Sequence, residues 1–131
     1  MEKINLDQPI LDIKGEEIID EQKDDKGKVK KVKRTLRENL LKALGVQYDA
    51  TVLTEPKQYT WIYNLSNLFN GKEKIVEVSD DKLEFLRKLI KTNKAILYRQ
   101  TPVSGVQKVE IELFFPYEVG EMLVMLGEKE E

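Results

Sequence analysis

Carboxylates, lysines, hydroxyls and tyrosines are the side chains left to do chemistry in this chain, because its 131 residues include no Cys and no His. Thiolate nucleophiles, zinc-thiolate centres and iron–sulfur clusters are therefore excluded within it. Ser-His and Cys-His triads are excluded too. Asp80-Asp81 is the pair best suited to offer oxygen ligands to a hard cation. The same pair follows Ser79 at the start of an apolar stripe, where carboxylates complement a helix dipole, and no third carboxylate stands at EF-hand spacing. Capping is the commoner role for such a pair. Ser66 with Lys72 and Ser104 with Lys108 could be drawn as Ser-Lys dyads, but no spacing rule supports either. The seven glycines form neither G-x-G-x-x-G nor G-x-x-x-x-G-K, so there is no phosphate cradle of either kind. The expectation is a protein that is not an enzyme and holds no cofactor and no metal.

Two groups of residues suit binding better than catalysis. Lys26, Lys28, Lys30, Lys31, Lys33 and Arg34 form a cationic run with no acid among residues 26–34. Such a run could contact phosphates, and each contact would make binding more salt-sensitive. It also lies opposite the acidic stretch 16–25 if the two form a hairpin, where cross-strand pairing of opposite charges explains it without a ligand. The second group is aromatic: Tyr59, Trp61, Tyr63 and Phe69. Rings at helical spacing are usually core. The single Trp61 is the best candidate for an anchor at a protein interface, since Trp is enriched among hot spots. The residues proposed to meet a protein or a nucleic acid are thus Lys28, Lys30, Lys31, Lys33, Arg34 and Trp61.

The elements that would carry these groups can be read from local signals. Residues 5–19 hold short apolar pieces bounded by Pro9 and Gly15, which suggests strands and turns. Asp24-Asp25-Lys26-Gly27 looks like a hairpin tip. Beyond it, Val29 and Val32 are three apart, which fits an alternating strand poorly, so residues 28–34 stay open between strand, helix and disorder. Thr35-Leu-Arg-Glu38 is a capping-box signature for a helix over Leu36–Leu44, stopped at Gly45. A second helix opens at Pro56 with Tyr59, Ile62, Leu65, Ser66 and Phe69 in step, and ends at Asn70-Gly71. Residues 74–78 read as a strand, and Ser79-Asp80-Asp81 opens a third helix with Leu83, Leu86, Leu89 and Ile90 inward. Strands follow at 95–98 and 109–115 around a turn at 102–105. The second of these places Val109, Ile111, Leu113 and Phe115 on one face and Phe114 on the other. Pro116 opens a last helix with Val119, Met122, Leu123 and Leu126 inward, before a charged tail at 128–131.

The sum is one α+β domain with an N-terminal β-hairpin arm, about four helices and a small antiparallel sheet. Its net charge is −2 with pI near 5.4, which argues against a protein that coats DNA but leaves room for a local basic patch. Apolar runs are far too short for a membrane span, and the N-terminus has no signal-type apolar core. With zero Cys this suits the cytoplasm.

The order of elements resembles that of small proteins of unknown function encoded by phages and prophages of Gram-positive-type bacteria. The stretches that carry the resemblance are LDQPILDIKGEEI at 6–18, TLRENLLKAL at 35–44, YTWIYNLSNLFNGKEKIVEVSDDKLEFLRKLIKTN at 59–93 and PYEVGEMLVMLGE at 116–128. These are core positions and caps, so the resemblance implies a genomic context and brings no functional residues with it. The basic hairpin and the strand region 95–115 depart from the simpler pattern. The function expected is that of a phage-type accessory protein that binds a protein partner, with nucleic-acid binding through residues 26–34 as the alternative.

Overall fold

Helices form where the caps said they would. In the computed structural model, which describes residues 2–103 and 105–128, Thr35 is the N-cap of α1 (Leu36–Leu44) and its hydroxyl accepts from the Glu38 amide at 3.4 Å. Pro56 opens α2 (Pro56–Phe69), Ser79 precedes α3 (Asp80–Thr92), and Pro116 opens α4 (Pro116–Met125). Gly45 ends α1 with φ −92°, so it stops the helix without a left-handed turn.

Among the described residues the strands pair antiparallel in three two-stranded ribbons, with isolated antiparallel bridges outside them. Strand β1 (Glu2–Asn5) pairs with β4 (Ile75–Val78), joining the first residues to the middle of the chain. Strands β2 (Ile19–Lys23) and β3 (Val29–Lys33) make the arm, with Glu21 opposite Lys31 and Gln22 opposite Lys30. Residues 29–33 are thus a strand although Val29 and Val32 do not alternate. The arm is exposed on both faces for most of its length, so no core imposes a period of two on it. Strands β5 (Lys94–Thr101) and β6 (Gly105–Glu112) form a second, longer ribbon than the segments 95–98 and 109–115 suggested.

The core gathers one face of every helix and the inner face of the β1–β4 ribbon. Leu6, Ile10, Leu36, Leu40, Phe69, Leu86, Ile90 and Met122 are completely buried in it. Two aromatic expectations are corrected. Tyr59 and Tyr63, expected in the core, are 60% and 68% exposed, because α2 buries the stripe through Leu65 and Phe69. Tyr63 is two residues from Leu65, roughly 160° around a helix of 3.6 residues per turn. In the segment after β6, Phe114 is buried and Phe115 is 79% exposed, the reverse of the alternation. Asn93 is the reason. It closes α3 in the left-handed conformation (φ 48°), its Oδ1 accepts from the Leu113 and Phe114 amides at 3.1 and 2.9 Å, and its Nδ2 donates to the Phe114 carbonyl at 2.8 Å. The strand is bent there before α4 begins.

Ser104 and the tail beyond Glu128 lie outside the described residues. Among the described residues, no helix is long and apolar enough to cross a membrane.

Candidate partner-binding surfaces

Residues of α2 and α3, with Glu55 and Glu128, line an open groove of about 950 Å³. Its floor is aromatic. The half-buried Trp61 from α2 meets Phe85 from α3 with centroids 5.5 Å apart and planes tilted by 59°. Lys57, one turn earlier, holds its ammonium 5.2 Å from the Trp61 ring centroid, an attraction of about 0.5–1 kcal/mol at an exposed site. The ends of the groove are neutralised internally: Lys57 pairs with Glu55 at 3.2 Å and Lys91 with Glu128 at 2.6 Å. Arg87 donates twice to the Leu126 carbonyl and so caps the end of α4. Asp81 and Glu84 also line the groove, and neither has an ion-pair partner among the described residues. The result is an apolar floor with a wall of mixed charge, on which Asp81 and Glu84 are the carboxylates that form no ion pair among the described residues.

The cationic run is divided by the structure. Lys28, Lys30 and Lys31 stand exposed on β3 and its turn. Lys33 pairs with Glu17 at 3.1 Å. Arg34 faces inward, its Nε and Nη2 donating to the two Asp20 carboxylate oxygens at 2.9 and 2.7 Å, and its Nη1 reaching Glu118 at 3.3 Å. The buried Glu118 carboxylate also accepts from Asn39 Nδ2 at 2.7 Å, so arm, α1 and α4 share one polar interlock. Hydrogen bonds from Arg34 hold the Asp20 carboxyl below its usual range, and those to Asp20 keep the Arg34 guanidinium charged. Glu38 nearby is pushed up, by burial first and then by the Asp20 charge. A smaller groove of about 560 Å³ overlies this interlock, floored by Phe114 with Lys42 Nζ 5.3 Å from its ring centroid. The charged groups of the interlock are all hydrogen-bonded to one another within the molecule, so this groove marks a joint between the arm and the helices.

Trp61 and the lysines of the arm are carried by different elements, and neither of these two grooves brings them together. The carboxylates considered for chemistry serve local structure. Asp81 lies with Asp80 in the first turn of α3, and Asp24 Oδ1 accepts from the Lys26 and Lys28 amides at the arm's tip, each at 2.9 Å. Among the described residues no three acidic side chains are grouped so as to hold a metal ion.

Several residues that organise these surfaces escaped sequence reasoning. Arg37 caps the C-terminal end of α2 through the Phe69 and Gly71 carbonyls, at 2.6 and 2.7 Å, and reaches the Glu73 carbonyl at 2.6 Å. Glu118 and Asn39 look like ordinary helix-surface residues in sequence. Their partners are 79 to 84 positions away, so no local pattern marks them.

No family model matches the chain, and neither a curated protein nor a solved structure gives a match.

Proposed function

We propose that this protein is a non-enzymatic, phage-type accessory that acts in the host cytoplasm by binding a protein partner, with the α2–α3 groove as the seat and Trp61 as the anchor. One observation carries the proposal: the chain's single Trp lies half-buried on an aromatic floor beside two exposed carboxylates, Asp81 and Glu84, that form no ion pair among the described residues. A partner segment with an apolar side chain next to a Lys or Arg would satisfy both features. Burial of a Trp at the centre of an interface is where binding energy concentrates, and charge complementarity on the wall would raise the association rate.

The test is capture from host lysate by the wild-type protein, by Asp81→Lys/Glu84→Lys and by Lys28→Glu/Lys30→Glu/Lys31→Glu, each checked for a native circular-dichroism spectrum. A partner retained by the arm variant and lost by the groove variant is the expected result. A partner indifferent to the groove variant, or no partner at all, overturns the proposal.

The exposed trio Lys28, Lys30 and Lys31 supports a second assignment, contact with nucleic-acid phosphates. The engagement of Lys33 and Arg34 in ion pairs thins that footprint. Affinity for duplex DNA or RNA that falls steeply with salt, and collapses in the arm variant, would favour it over the groove.

A further inference from the structure

Ribbon β5–β6 is anchored at its base and bare beyond it. Ala95 and Ile96 are buried, whereas Leu97, Tyr98 and Val106 are at least half exposed. The outer edge of β5 is clipped at Ile96, whose amide donates to the Gln47 carbonyl at 2.9 Å. The outer edge of β6 pairs with no strand among the described residues. Two-stranded ribbons are marginal in water, and an unpaired edge is a template for another strand.

We infer that β6 pairs with β6 of a second copy of this chain, antiparallel about a two-fold axis at Val109, to make a four-stranded sheet. The charge pattern of GVQKVEIE selects both the occupant and the register. In an antiparallel pair, side chains directly opposite share a face, so a two-fold axis must pass through a residue. An axis at Lys108 sets like charges opposite each other, as does one at Glu110, and one at Ile111 opposes Glu110 to Glu112 twice. The axis at Val109 alone sets Lys108 opposite Glu110 of the second copy, twice by symmetry, with no like charges opposed.

The same register aligns the apolar residues. Leu97 lies opposite Val109 within one chain, so the row across the new sheet runs Leu97, Val109, Val109, Leu97. Lys108 is already steadied by Asp49 at 2.9 Å, and an ammonium has three donors, so it can take a second carboxylate without releasing the first. This pairing lies on elements other than the α2–α3 groove and does not depend on the function proposed above.

Sedimentation velocity over a concentration series tests it, with three samples: wild type, Lys108→Glu and Glu110→Lys. Wild type should dimerise reversibly. Each variant opposes like charges twice and should sediment as a folded monomer, its fold read from circular dichroism. Mixing the two variants should restore a dimer at least tenfold more stable than either alone. In that mixed pair position 108 of each copy again faces an opposite charge at position 110 of the other. That rescue cannot come from misfolded chains. A wild-type monomer throughout the series overturns the inference while leaving the groove proposal standing, as does a dimer that neither substitution weakens or a mixture that stays monomeric.

Discussion

The protein has two projecting hairpins of the same topology and opposite temperament. Arm β2–β3 is dressed in charge on both faces and is held at its base by a polar interlock, Asp20–Arg34–Glu118–Asn39. Ribbon β5–β6 carries apolar side chains far along its length and is held at its base by buried Ala95 and Ile96 and by the Asn93 bend. A hairpin that shows lysines to water resists edge pairing, whereas one that shows Leu97, Val106 and Val109 invites it. The difference lies in the side chains carried on the same antiparallel topology, and it assigns solvent to one hairpin and a strand partner to the other.

Breaking the interlock should have the largest effect. Glu118→Ala leaves the Arg34 guanidinium and the Asn39 amide without their shared acceptor. Loss of a fully buried partner costs about 3–5 kcal/mol, and roughly 2–3 kcal/mol is expected here because Arg34 is partly exposed. Urea denaturation measures it, and a loss below about 1 kcal/mol would show the arm to be independent of α4. At the other hairpin, Asn93→Ala removes three hydrogen bonds and forces an Ala into left-handed backbone, for a loss of about 2 kcal/mol. Asn93→Gly keeps the conformation and loses only the bonds, so it should fall between Ala and wild type in the same assay.

Acid should separate the hairpins more finely. A carboxyl held below its usual range gives stability that is complete above the unfolded-state pKa and is lost as pH falls through the folded value. Asp20 is lowered by Arg34, and Asp49, bonded first to Lys108 and then to Thr51, is lowered to about 2. Arm amides from Ile19 to Lys33 should therefore shift in NMR spectra as pH drops below the ordinary Asp range, while the Asp49–Lys108 contact persists until about pH 2. Protonation of the raised Glu38 works the other way and softens the loss at the arm. In alkali the signs invert for Tyr48, which burial pushes up to about 12 while its hydroxyl donates to the Ala43 carbonyl at 2.6 Å. The folded state binds that proton more tightly, so stability should decline from about pH 10 to about 12, and Tyr48→Phe should flatten that limb of the curve. The smallest effect belongs to Lys28→Glu/Lys30→Glu/Lys31→Glu, expected to change unfolding free energy by no more than about 0.5 kcal/mol per site.

Local signals were legible and distant ones were not. Thr35, Pro56, Ser79 and Pro116 announce their helices because such signals are local: Thr35 accepts from an amide three residues on, Ser79 is the N-cap residue of α3 without a side-chain bond, and the two prolines hold φ at the first helical turn. The helical stripe of α3 is equally plain, since Leu83, Leu86, Leu89 and Ile90 all bury. Strand β1 is silent in sequence because Ile4 is its one fully buried side chain, and its partner strand lies about seventy residues on. The exchange of Phe114 and Phe115 could not be read from alternation, because Asn93 bends the chain from another element. Trp61 was legible as a candidate interface anchor, but the unpaired carboxylates beside it were not. Asp81 and Glu84 read as helix-start and surface residues until α2 and α3 face each other.

The interlock also sets a schedule. On the ribosome, Arg34 emerges 84 residues before Glu118, at about 5–20 residues per second. For those seconds the arm lacks its α4 acceptor, and Asp20 is the one interlock carboxylate yet made for the Arg34 guanidinium. Helix α4 is therefore the latch: when it docks, one carboxylate joins the arm to α1 and α4. A nascent chain halted before Glu118 would display its basic arm on a loose hinge, and a chain with α4 docked displays it on a fixed one.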